Sequence, residues 1–145
     1  MEIPIFRIKA IRCSVTGITI FASVQNRWQR DADGYVRIPY RLGGLLDHQI
    51  KRGILMAAKA FETLTCVRLV PWSGEVNYVK VIDGNGCYVS GLGRQGVTKM
   101  SLQVPGCTSP ATVIHEFMHV LGFDHEHNRP DRDQHIYYHR SNVYP

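Results

Sequence analysis

The order of patterns along the chain predicts an α+β fold, a mixed sheet with two long helices, the second following the last strand. Two observations carry that reading. Between Leu46 and Leu64 apolar residues recur in steps of three and four, which puts them on one face of a helix. Around this segment lie short runs rich in β-branched and apolar residues, each closed by proline, glycine, aspartate or asparagine.

Tyr35–Tyr40 reads as the first strand, with Pro39 favouring its end because proline cannot donate to a ladder. Leu46, Ile50, Ile54, Ala57, Phe61 and Leu64 make the helical stripe, a core-packing face that needs no ligand. Asp47 suits the positive end of that helix, and His48 is expected in solvent. Cys66–Val70 is a second strand, stopped by Pro71. Tyr78–Ile82 is a third, ended by the turn Asp83-Gly84-Asn85-Gly86. Tyr88–Leu92 fits a strand at the sheet edge, and Val97–Val104 a further strand. Ser109 is placed to cap the second helix, with Pro110 in its first turn.

The chain has 145 residues, enough for one domain with a core, and no repeats or evident linkers. Its 44% hydrophobic and 20% charged residues are those of a folded protein rather than a disordered one. The net charge of +5 is spread along the chain, with Lys51-Arg52 as the largest local group. Nucleic-acid binding calls for a clustered basic face, so no nucleic-acid partner is expected. Val15–Val24 is a short apolar run broken by Thr16, Gly17, Thr19 and Ser23. It is too short for a membrane span and weak as a signal peptide. Residues 1–21 are expected to be a leader or propeptide remnant, poorly defined. Four cysteines, Cys13, Cys66, Cys87 and Cys107, allow three pairings and lack zinc-finger spacing.

The chemistry is concentrated in His115-Glu116-Phe117-Met118-His119-Val120-Leu121-Gly122-Phe123-Asp124-His125. It reads H-E-x-x-H-x-x-G-x-x-H, three imidazoles and a carboxylate at the spacing of a catalytic zinc site. Residues four apart share a helix face, so His115 and His119 can point at one ion. Glu116 lies about 100° around the helix and can reach a metal-bound water without becoming a ligand. His125 is six residues past His119, on another face, so the chain must turn; Gly122 accepts the left-handed conformation that allows it. Three ligands leave a position open for water, as catalytic zinc requires. Glu116 would take the water's proton and later pass it to the leaving amine. With seven histidines and five glutamates in the sequence, chance would produce the pattern on the order of 10⁻⁴ times per chain.

The match continues: His125-Glu126-His127-Asn128-Arg129-Pro130-Asp131-Arg132-Asp133 fits H-E-x-x-R-x-D-R-D. This extended pattern resembles the astacin family of metzincin zinc endopeptidases. Trp28, then Gly34-Tyr35-Val36-Arg37-Ile38-Pro39-Tyr40, is similar to that family's W…G-x-V-x-I-P-Y opening. Phe61–Leu69 resembles its A-F-x-x-x-T-C-I-x-F segment. The resemblance covers roughly residues 22–145, an astacin-like peptidase domain. It implies a zincin-like twisted mixed sheet, with the second helix carrying the zinc motif. It implies His115, His119 and His125 as ligands of one Zn2+ per chain and Glu116 as general base. Glu126 then corresponds to the glutamate that meets the mature N-terminus, a structural role. His127 has no ligand spacing and is expected at the surface, and Arg129–Asp133 is expected to form a salt-bridge network. The resemblance further implies a Cys87–Cys107 disulfide, a secreted or extracellular protein, and an edge strand near Cys87–Ser90 that aligns extended substrate. Cys66 would pair with a late cysteine that these residues do not include, which leaves it an expected orphan.

The family's S-x-M-H-Y turn, beyond the zinc motif, has no counterpart before Pro145. The chain is therefore expected to be an incomplete record that stops before that turn, with the cleft-closing subdomain largely absent. The function expected is zinc-dependent endopeptidase, acting on peptide or protein substrates. The alternative is a truncated, non-catalytic zinc-binding module serving as a decoy or partner-binding protein. Neither the substrate nor the oligomeric state is readable from the sequence.

Overall fold

The computed structural model describes residues 26–137 and 139–142. Residues 1–21, with Cys13, and the tyrosines at 138 and 144 lie outside the described residues, so the expected leader does too.

Five strands form one sheet: β1 (Val36–Leu42), β2 (Val67–Pro71), β3 (Tyr78–Ile82), β4 (Cys87–Val89) and β5 (Val97–Leu102). Their order across the sheet is β2-β1-β3-β5-β4. All neighbours are parallel except β4, which runs antiparallel to β5 at the edge. The expected α+β mixed sheet with two long helices is what forms. Helix α1 (His48–Leu64) crosses from β1 to β2, and α2 (Pro110–Leu121) follows β5.

Both helices cover one face of the sheet. Ile50, Ile54, Ala57 and Phe61 of α1 and Val113, Phe117 and Val120 of α2 are buried with Ile38, Val79, Val81, Met100 and Leu102 of the strands. Phe61 meets Phe117 edge to face, their ring centres 6.2 Å apart, the geometry aromatic quadrupoles favour. Asp47 caps α1 by accepting from the Gln49 amide at 2.7 Å, and Ser109 caps α2 by accepting from Thr112 at 3.1 Å. Trp28 donates its indole N–H to the Val120 carbonyl at 2.9 Å and ties the entering chain to the end of α2.

Several details differ from expectation: β2 runs from Val67 through Pro71 instead of stopping before it, and β5 ends at Leu102 rather than Val104. Strand β1 does not end at Pro39 but runs on to Leu42. Val36 and Tyr40 bond toward β2, so Pro39 turns its missing N–H to the other side. Pairing with β3 begins only at Tyr40, so no ladder bond is lost there. Strand β4 is shorter than expected, because the chain turns away after Val89. Cys66 is not an orphan: it is disulfide-bonded. That pairing lay beyond the sequence, since spacing alone leaves every connectivity open.

Gly53 marks where α1 approaches the segment before α2 most tightly. A β-carbon there would lie 2.5 Å from the Thr108 carbonyl oxygen and 3.1 Å from the Val113 side chain. Helix propensity favours alanine over glycine by about 1 kcal/mol, and overpacking costs about 1–3 kcal/mol. With backbone as the obstacle, overpacking wins. Gly53→Ala is expected to lower the thermal midpoint by about 3 °C or more; a higher midpoint would contradict this packing.

Candidate metal centre

Helix α2 serves the core and the site at once. Val113, Phe117 and Val120 face the core, while His115 and His119, one turn apart, share another face of the helix. His119 is almost fully buried, His115 is half-buried and His125 is exposed.

The helix ends in a Schellman turn at Gly122, whose φ is 103°. The amide of Gly122 donates to the His119 carbonyl at 2.9 Å, and that of Phe123 to Met118 at 3.0 Å. The reversal carries the chain back toward the helix. Asp124 then accepts from the His125 amide at 2.7 Å and from the Asn128 side chain at 3.2 Å, fixing the turn that presents His125. Those bonds, the His125 amide first, hold the Asp124 carboxyl below its ordinary value.

The three Nε2 atoms converge. His119 lies 3.0 Å from His115 and 3.0 Å from His125, and His115 lies 3.2 Å from His125. These contacts are not a ring of hydrogen bonds. His119 Nδ1 is 2.7 Å from the Phe123 carbonyl, which only accepts. That nitrogen therefore carries the proton, and Nε2 turns its lone pair to the centre. A tetrahedral zinc with bonds of about 2.0–2.1 Å separates its ligand nitrogens by roughly 3.3 Å. The observed triangle is close to that size, and all three residues could hold one ion.

Glu116 supplies a second observation. Its side chain is buried, and Oε2 has no hydrogen-bond partner among the described residues. Burial raises its pKa above the ordinary carboxylate value, partly offset by His119. A buried carboxylate oxygen without a partner is costly unless a water or a substrate completes it.

The backbone of the site is braced from the sheet side. Gly93, in the loop after β4, donates to the His119 carbonyl at 3.0 Å. A disulfide joins Cys87 of β4 to Cys107, just before α2, so the edge strand is tethered beside the site. Closing the 20-residue separation contributes about 3 kcal/mol in the chain-entropy view.

Residues 22–145 match the family model described as Astacin, a peptidase family. The chain belongs to the astacin family. It is 39% identical over 119 residues to embryonic protein UVS.2 of Xenopus laevis, a stretch covering 81% of this chain and 23% of that protein. It is 36% identical over 128 residues to the astacin-like metalloendopeptidase of Mus musculus, covering 87% of this chain and 29% of that one. The chain thus spans less than a third of the length of these curated relatives. Among solved structures it resembles High choriolytic enzyme 1, a hatching enzyme zinc-protease from Oryzias latipes. That superposition has a TM-score of 0.72 and 34% identity, and covers 78% of this chain and 56% of the other.

For this astacin-family chain, the structure brings together the three histidines the motif singled out, and Glu116 is buried on the same helix as His115 and His119, where His119 acts on its carboxyl. His127 stays outside the cluster, exposed, with its ring stacked on that of His125 at 5.4 Å. Arg129 joins Glu126 at 3.1 Å and Asp131 at 2.8 Å, the expected charge network. Asp131 is held at about 2 by that guanidinium. His48 is exposed, as its place off the stripe implied. Sequence reasoning missed the Phe123 carbonyl, a main-chain group with no sequence signal. It also missed the organising part of Asp124, which a side-chain-to-backbone turn could have suggested. Among the described residues no helix is long and apolar enough to cross a membrane.

Protonation sets a test of this centre. Burial first, then the neighbouring imidazoles, lower the pKa of His115 below 6.5. As pH falls below 6.5 the unfolded chain takes up the proton first, so the metal-free fold loses stability until His115 itself is protonated. Metal binding is weakened further, because protons compete for the same nitrogens. Zinc affinity measured by chelator competition is therefore expected to hold from pH 7.5 to 6.5 and to fall progressively steeper toward pH 5. An affinity unchanged down to pH 5 would rule out imidazole ligation.

Proposed function

We propose that the chain acts as a zinc-dependent endopeptidase, with His115, His119 and His125 holding one Zn2+ and Glu116 acting as general base. The observation that carries this reading is the convergence of three imidazole nitrogens, two of them from the helix that also holds a buried Glu116 oxygen with no partner among the described residues. When bound, zinc supplies Lewis-acid polarisation of the scissile carbonyl and acidification of water.

The protein's own groups do the rest. The Phe123 carbonyl keeps His119 in the tautomer that offers Nε2 to the metal. Glu116 accepts a proton from the attacking water and delivers it to the amide nitrogen as the C–N bond breaks. Burial raises its pKa, which favours its holding the proton between the two transfers. Strand β4 lies at the sheet edge, against α2, with Tyr88 exposed. An extended substrate peptide would add to it as a further strand, held by backbone hydrogen bonds. Peptides and proteins are accordingly the substrates. The family membership and the relatives named as metalloendopeptidase and zinc-protease support this reading. The disulfides support a secreted or extracellular protein, since they persist in oxidising compartments.

The test separates the base from the metal. Glu116→Gln keeps the shape and removes the proton acceptor. Cleavage of a fluorogenic peptide by this variant is expected to fall by about 10²–10⁴-fold. Elemental analysis should still find one zinc per chain. Cleavage at the wild-type rate would refute the role given to Glu116.

A further inference from the structure

The face of the sheet away from the helices carries a charge pattern that the reading of Glu116 and the histidines does not use. Along β1, β3 and β5 the buried residues alternate with exposed Arg41, Lys80 and Lys99. The register sets these three side by side, Arg41 opposite Lys80 and Lys80 opposite Lys99. Neighbouring strands lie about 4.8 Å apart, so the Cα positions of the three cations span about 10 Å across the sheet. Trp72, the residue after β2, ends the row: Arg41 lies over its ring, 5.0 Å from the centre. At the far end Ser90 accepts from the Lys99 amide through its hydroxyl.

Among the described residues none of the three cations makes an ion pair. Glu75, in the loop between β2 and β3, is turned onto Ser73 instead. Like charges opposite one another on adjacent strands are destabilising, and packing does not require them here. A partner that brings negative charge in a line would offset that repulsion.

We propose that the row Trp72–Arg41–Lys80–Lys99 is a docking surface for a sulfated polysaccharide. A linear sulfated polymer presents its charges along a line, as this row does, and its sugar rings offer faces that an aromatic ring can meet. The three cations stand on strands of a sheet, not on a helix of the kind that enters a major groove. The disulfides point to an oxidising compartment, away from nucleic acid and from the anionic cytoplasmic leaflet. The inference does not rest on the peptidase reading, because none of these residues belongs to the metal centre.

Heparin is the probe. Its affinity for the full chain is measured at several salt concentrations, for the wild type, for Lys80→Ser/Lys99→Ser, and for Lys51→Ser/Arg52→Ser on the exposed side of α1. Both doubles remove two charges, and circular dichroism checks that each folds. The sheet variant is expected to lose about tenfold or more in affinity, and its salt slope to fall by about two. The helix variant should stay within about twofold of the wild type with its slope intact. Equal losses in both variants would reduce the effect to net charge and overturn the proposal. So would absence of binding to heparin, retention on desulfated heparin, or tighter binding to duplex DNA or phosphatidylserine vesicles.

Discussion

A single straight helix can offer two imidazoles to one point but not a third at this spacing, so everything at the site depends on how the chain reverses at Gly122. A positive φ at that residue lets the Gly122 and Phe123 amides close onto the last turn of α2. The same reversal places the Phe123 carbonyl against His119 Nδ1 and brings His125 to within 3.0 Å of His119. One backbone conformation thus sets the position of His125 and the tautomer of His119. A side chain with a β-carbon would strain that conformation by about 1–2 kcal/mol, and the strain would fall on the metal centre.

The rest of the fold holds α2 still. Its inner face is locked by Val113, Phe117 and Val120 against the sheet and α1. Gly93 holds the His119 carbonyl, and the Cys87–Cys107 bond keeps the edge strand beside the helix. Glu116 runs against good packing: a carboxylate nearly out of solvent, with an oxygen lacking a partner among the described residues. Such a group lowers stability, and a proton-transfer role gives a physical reason for keeping it there. The opposite face of the sheet shows the same tension in its row of cations.

Local interactions were legible in the sequence. The α1 stripe from Ile50 to Phe61, the Asp47 and Ser109 caps and the Gly122 turn depend on neighbours within a few residues and formed where their pattern placed them, although Leu46 precedes the helix and Leu64 at its end is exposed. The three histidines were legible for the same reason, since one helix turn and one reversal bring them together. Features that depend on partners far along the chain were not. Pro39 was read as a strand end because the sequence does not say which side of β1 is paired at that point. Cys66 was read as unpaired, whereas the fold gives it a partner. The cations at 41, 80 and 99 looked scattered because only strand register aligns them.

The claim on which most depends is that His115, His119 and His125 bind zinc through Nε2 with a position left open. A crystal structure of the zinc-loaded protein, with anomalous data on both sides of the zinc edge, tests it most directly. The account predicts one zinc peak bonded to those three Nε2 atoms at about 2.0–2.1 Å, with a fourth position facing Glu116 and free of protein ligands. Zinc bound instead by His127, or with Glu116 as a direct ligand, would contradict it.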